Sequence, residues 1–160
     1  MRRLLVVSFL VLVAPRAPAQ ERHPVRIAGH YTSTISDDPS EQVGWGGRIV
    51  FPLTGRLDVY PSVSRISDGV GGWWELGIAL QYRPFGAPSR TPFYLSAGWT
   101  VFNNGRSGEG LDMLALGLEV PSGRLQPFAE LQFLNSLGWL ANPGSGFGVQ
   151  TQFGLTWATR

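Results

Sequence analysis

Between Trp73 and Phe85 the chain reads WWELGIALQYRPF, and its polarity switches at almost every residue. Trp74, Leu76, Ile78, Leu80 and Tyr82 form one apolar row with an aromatic at each end. Trp73, Glu75, Gly77, Ala79, Gln81 and Arg83 form the other, which is mostly polar or small. A period of two marks a β-strand whose two faces meet different surroundings. A row of about five apolar residues suits a tilted strand crossing a bilayer. The second row lacks the lysines and threonines of a solvated face. Small residues with a few charges fit the crowded interior of a narrow barrel instead.

The same alternation recurs along the chain and predicts eight strands, over residues 25–35, 42–51, 56–65, 73–85, 93–102, 111–120, 125–134 and 146–157. The connections at 36–41, 66–72, 103–110 and 135–145 are longer polar loops, and those at 52–55, 86–92 and 121–124 are turns carrying Pro or Gly. Eight strands joined in this way predict an all-β fold, an eight-stranded antiparallel up-and-down transmembrane β-barrel with both termini on one side. Pro61 falls inside a strand and cannot donate to a ladder, so a bulge is expected there. Aromatics gather at the ends of the outward rows. Trp45, Trp74, Trp99 and Phe147 would mark the outer membrane interface, and Phe51, Tyr82, Phe93 and Trp157 the inner one.

Composition sharpens this picture. Gly at 21 and Trp at 6 favour a β-barrel over a helical protein, and the absence of cysteine removes disulfides and thiolate sites. Residues 1–19 have the form of a secretory signal peptide: Arg2 and Arg3, an apolar run from Leu4 to Ala14, then small residues at Ala17 and Ala19. An apolar run of about eleven residues is too short to span roughly 30 Å of hydrocarbon as a helix. Residues 20–24 then form a short periplasmic tail and residues 25–160 the barrel domain. Every cation is Arg, and removing residues 1–19 leaves ten Arg against eleven carboxylates, a net charge of about −1. That balance provides no electrostatic footprint for nucleic acid.

Candidate chemistry is sparse. The histidines are His23, in the tail, and His30, on the inward parity of the first strand beside Arg26, Ala28 and Thr32. Two histidines and no cysteine do not support a metal site of the usual kind. No catalytic residue and no cofactor are expected. Gly105-Arg106-Ser107-Gly108 has no helix after it to bind phosphate and reads as an ordinary loop. The better-supported feature is the inward charge: Arg48, Arg56, Asp58, Glu75, Arg83, Glu119 and Glu130. Eight strands leave room only for side chains, so these charges are expected to pair and plug the lumen. Strand direction places Arg48 and Glu130 near mid-depth, and Arg83 and Glu119 near the end that holds the termini.

Taken together, residues 25–157 resemble the small eight-stranded outer-membrane barrels of the OmpA/OmpX-like group. Gln152, Gly154 and Trp157 match the assembly signal of that group's last strand, although Thr159 stands where an aromatic would be and Arg160 follows it. The resemblance implies export to the outer membrane, with outer-membrane lipid and the outer-membrane assembly machinery as partners and the ligand unknown. Some such barrels are lipid-modifying hydrolases. Here residue 32 is Thr, so the His-x-Ser arrangement associated with those enzymes is missing around His30. The principal alternative is a secreted, soluble, lipocalin-like barrel carrying a hydrophobic ligand, in which the apolar parity would face inward.

Overall fold

The computed structural model describes residues 24–35, 42–85, 92–103, 108–142 and 148–159. The expected leader at 1–19, the tail at 20–23 and the interface position Phe147 lie outside them. The strands are β1 (Arg26–Ile35), β2 (Gln42–Pro52), β3 (Leu57–Ser67), β4 (Gly72–Tyr82), β5 (Phe93–Asn103), β6 (Gly108–Glu119), β7 (Leu125–Leu134) and β8 (Gly148–Ala158). Each pairs antiparallel with the next, and β8 pairs back onto β1, so the sheet is a closed up-and-down barrel. Closure leaves no strand edge unpaired.

The strands are strongly tilted. A path taken sideways from Arg26 reaches Val50 and crosses to Tyr60 on the register shared by the flanking pairs Arg48–Ser62 and Phe51–Val59. It then runs through Ala79, Gly98, Met113 and Leu134 to Gly148. Gly148 is next to Val149, the partner of Ile35, so one circuit climbs from one end of β1 to the other. The small apolar cluster inside the barrel, Val50, Tyr60, Ala79, Met113 and Leu134, lies along this path.

Alternation decides what fills the interior. Arg26, Ala28, His30 and Thr32 of β1 are buried, as are Tyr94, Ser96 and Thr100 of β5 and Phe128, Glu130, Gln132 and Leu134 of β7. Most of their sequence neighbours face outward. Room for the larger side chains comes from glycine on the facing strand. Gly117 lies opposite Tyr94 and Gly154 opposite Phe128, and a Cβ on either would overlap that ring.

Pro61 is accommodated without the expected bulge. The pairs Arg48–Ser62 and Phe51–Val59 keep one register, so no extra residue is inserted. The β2–β3 ladder omits the two positions between them, while Pro61 pairs with Ile78 on its β4 side. The missing N–H is thus met by a gap in one ladder. The long loop before β8 also differs from expectation, because it contains a short helix, α1 (Ser136–Ala141). Asp68 closes the β3–β4 connection by accepting hydrogen bonds from Gly71 N–H (2.7 Å) and Val70 N–H (3.0 Å), which hold its carboxyl below the usual range.

The glycine–aromatic pairing makes a testable prediction. Gly117→Ala should destabilise the barrel by about 1–3 kcal/mol through overpacking against Tyr94. Gly29→Ala, where the nearest atom to a new Cβ is 4.0 Å away, should stay within about 0.5 kcal/mol. Urea titrations of the lipid-embedded protein compare the two, and equal losses would count against this packing.

Candidate functional site

Inside the wall, the charged and polar side chains meet in three groups, ordered along the barrel. The group at the end holding the termini draws on four strand ends. Arg26 starts β1, Asp58 lies near the start of β3, Arg83 follows β4 and Glu119 ends β6. Arg26 donates to Asp58 at 2.5 Å and to Glu119 at 2.7 Å. Arg83 donates to Asp58 through Nε at 3.3 Å and also to Glu119. Two guanidiniums and two carboxylates therefore form one charge-balanced ring, and all four residues are buried.

Arg48 dominates the middle. It donates to Glu130 at 2.8 Å and to the Tyr94 hydroxyl at 3.1 Å. Tyr94 in turn donates to Glu130 at 2.8 Å, and Gln132 adds a 2.6 Å bond to the same carboxylate. The guanidinium carbon lies 4.1 Å from the Phe128 ring centroid and 4.8 Å from that of Tyr60. A delocalised, weakly hydrated cation between aromatic faces is tolerated far better than a compact ammonium. This gives a physical reason for Arg at this position.

Glu75 belongs to the third group, toward the opposite end. Its carboxylate accepts from the Thr100 hydroxyl at 3.1 Å and from Gln150 at 3.3 Å. Among the described residues it has neutral hydrogen-bond partners and no cation. Nearby, His30 shares a 2.9 Å hydrogen bond with Ser64. The described residues contain no group of three or more His, Cys, Asp or Glu placed to hold a metal.

Placement of the expected inward charges is therefore specific. Asp58, Glu75, Arg48, Arg83, Glu119 and Glu130 are buried in the lumen, and the pairs Arg48–Glu130 and Arg83–Glu119 form as strand direction indicated. Arg56 is a correction. It is exposed, in the turn before β3, where its own N–H donates to the Thr54 hydroxyl at 3.2 Å. Arg56 lies one residue beyond the last β3–β4 pair, Leu57–Tyr82. Its carbonyl still accepts from Arg83 N–H at 2.8 Å, but its own N–H is turned to Thr54, and the strand's parity no longer dictates the side chain's direction. Arg26 provides the ring's second cation instead. Its inward parity was the signal that could have found it.

On the outside, Trp74, Leu76, Ile78 and Tyr82 are exposed and Leu80 is half-buried. The interface candidates Trp45, Trp99, Phe51 and Trp157 are exposed as well, and Phe93 is half-buried. Tyr31, Trp45, Arg65 and Trp74 sit side by side across β1 to β4. Tyr31 meets Trp45 edge-on at 5.1 Å, and the Arg65 guanidinium lies 5.6 Å from the Trp74 ring centroid.

A closed eight-stranded wall, polar within and apolar without, defines the class of small outer-membrane-type barrels. Among solved structures, the chain is similar to the N-terminal β-barrel domain of Pseudomonas aeruginosa OprF, with a TM-score of 0.64 and 17% identity over 86% of this chain and 98% of that one. It is also similar to Neisserial surface protein A (NspA), with a TM-score of 0.50 and 10% identity over 84% of this chain and 96% of that one. Both are eight-stranded outer-membrane barrels, and at these identities the likeness is one of fold. No protein-family model matches the sequence, and no curated protein sequence matches it either.

The central pair is open to a direct test. Removing either partner of a buried ion pair typically costs about 3–5 kcal/mol, because the other is left uncompensated. Arg48→Met or Glu130→Gln alone should therefore destabilise strongly, and the double variant should lose less than the sum of the two. A double-mutant cycle by urea unfolding measures the coupling, and additive losses would reject it.

Proposed function

We propose that this protein is an integral outer-membrane β-barrel of structural or interaction type, with its lumen plugged by its own ion pairs. The observation that carries this reading is the inversion of polarity across the wall. Leu76 and Ile78 are 52% and 57% exposed on the outer face, while Arg48 and Glu130 are 4% and 3% exposed inside. Outward apolar residues recur on every strand, including Ile27, Ile49, Val63, Leu95, Leu116, Leu131 and Leu155. A continuous belt of this extent is far larger than the apolar patches water-soluble monomers carry. A bilayer covers it, and closure pairs every strand on both sides, which meets backbone groups the bilayer cannot. Likeness to solved outer-membrane barrels supports the same location.

By this reading the protein's partners are outer-membrane lipid and the assembly machinery of that membrane. Gln152, Gly154 and Trp157, which carry the assembly-signal resemblance, lie on β8, the strand that closes the wall against β1. The soluble ligand-carrier alternative loses its support, since it needs the apolar parity inside. An enzymatic role fares no better. His30 and its hydroxyl partner Ser64 are each 3% exposed. Among the described residues Glu75, which lies opposite Ser64, accepts from Thr100 and Gln150 rather than from His30. A pair enclosed in the lumen has no access to an acyl chain in the bilayer.

Arginine scanning along β4 tests the membrane reading. Ile78→Arg should cost about 2–4 kcal/mol at the bilayer midplane, with Trp74→Arg and Tyr82→Arg closer to about 0–1 kcal/mol apart from lost ring contacts. Folding titrations into lipid vesicles provide the profile, and a flat one would remove the lipid-facing assignment. The plugged lumen has its own readout. Planar-bilayer recordings should show no large steady conductance, and a stable open channel would overturn the plug while leaving the membrane location intact.

A further inference from the structure

The outward row of β6 runs Asp112, Leu114, Leu116, Leu118, so one carboxylate heads an otherwise apolar row. Asp112 holds the start of α1. Its carboxylate accepts from the Ser136 hydroxyl at 2.7 Å, from Leu137 N–H at 2.9 Å and from Gly138 N–H at 3.4 Å. Its backbone carbonyl accepts from Asn135 N–H at 2.8 Å. These bonds begin one step beyond Met113–Leu134, the last pair of the β6–β7 ladder. Asn135 leaves that ladder in the left-handed conformation, with φ 56°. Because Asp112 is on the outward parity, the chain it captures is brought to the outer side of the wall.

The helix so positioned presents apolar surface. Leu137 and Leu140 are three residues apart, hence on one side of the helix, and are 58% and 68% exposed. From Asn135 to Asn142 the chain carries no charged residue. Asp112 is paired across the β5–β6 ladder with Trp99, one of the exposed aromatics. The exposed leucines therefore extend the outer apolar belt at the end of the barrel away from the termini.

We propose that α1 is an interfacial helix, with Leu137 and Leu140 seated in membrane lipid beside β6 and Asp112 as the latch that holds it there. The continuity of these leucines with the outer belt selects lipid as the occupant. Short amphipathic helices bind membranes in this way, apolar side down in the interface. The proposal rests on the membrane reading above, and its test separates the two.

The chain has no cysteine, so Leu140→Cys, Leu116→Cys and Val70→Cys each accept one fluorescent label. Leu116 reports the belt, and Val70, 99% exposed in the β3–β4 connection, reports water. The labelled proteins are folded into phosphatidylcholine vesicles containing lipids with a nitroxide near the headgroup or in mid-chain. The label at residue 140 should be quenched severalfold more than that at residue 70, and more by the shallow nitroxide than by the deep one. Adding Asp112→Ala should return it towards the residue 70 level. A quenched label at residue 116 with residues 140 and 70 alike would overturn the interfacial helix alone. An unquenched label at residue 116 would remove the membrane reading and this proposal together. A label at residue 140 shielded from aqueous iodide yet untouched by either nitroxide lipid would replace lipid with a protein contact and overturn the proposal. Unchanged quenching in the Asp112→Ala background would overturn the latch.

Discussion

An arginine enclosed by a wall of eight strands must have its charge answered from inside that wall, and the interior of this barrel is organised around the requirement. Arg48 receives Glu130 from the far side, a tyrosine hydroxyl between them and aromatic faces around its plane. At the end holding the termini, Arg26 and Arg83 share Asp58 and Glu119. These contacts tie β2 to β7 and β1 to both β3 and β6, across the lumen and between segments distant in sequence. A buried ion pair is a poor source of net stability, because desolvation offsets most of its attraction. Its geometric demands are strict, however. We read the network as a device that selects one closure and register of the barrel.

Polarity on the two sides of the wall follows from the same arrangement. A lumen filled by guanidiniums, carboxylates and amides supplies little hydrophobic driving force. The apolar surface that folding removes from water is therefore mainly on the outside, and lipid is what removes it. Packing inside depends on close fit instead, and glycine provides it: Tyr94 occupies the space over Gly117 and Phe128 that over Gly154. Small residues on one strand and rings on the next let a narrow barrel be full without strain.

A filled lumen also decides where function can reside. With the lumen plugged as proposed, contact with other molecules falls to the outer wall and to the ends. The His30–Ser64 pair shows the point, since both side chains are buried within the wall. α1 shows the converse, a short apolar element carried by the end of the barrel on the outer side and anchored by one carboxylate of β6.

Period-two alternation is a local property, which is why the eight strands, the outward rows and the inward charges could be read from the sequence. Strand direction was enough to match Arg48 with Glu130 and Arg83 with Glu119 by depth. What escaped the sequence depends on where each ladder ends and what approaches from elsewhere. Arg56 has the right parity but lies in a turn shaped by the Thr54 hydroxyl, so Arg26 takes the ring position. Pro61 has no N–H whatever its neighbours, yet only the common register on both sides of it excluded a bulge in favour of a gap. His30 finds Ser64 on β3, not the hydroxyls beside it in the chain. Six residues of weak helical pattern become α1 because Asp112, more than twenty positions earlier, lies where their amides need an acceptor. Alternation fixes which side of the wall a residue faces; closure of the barrel fixes its neighbours.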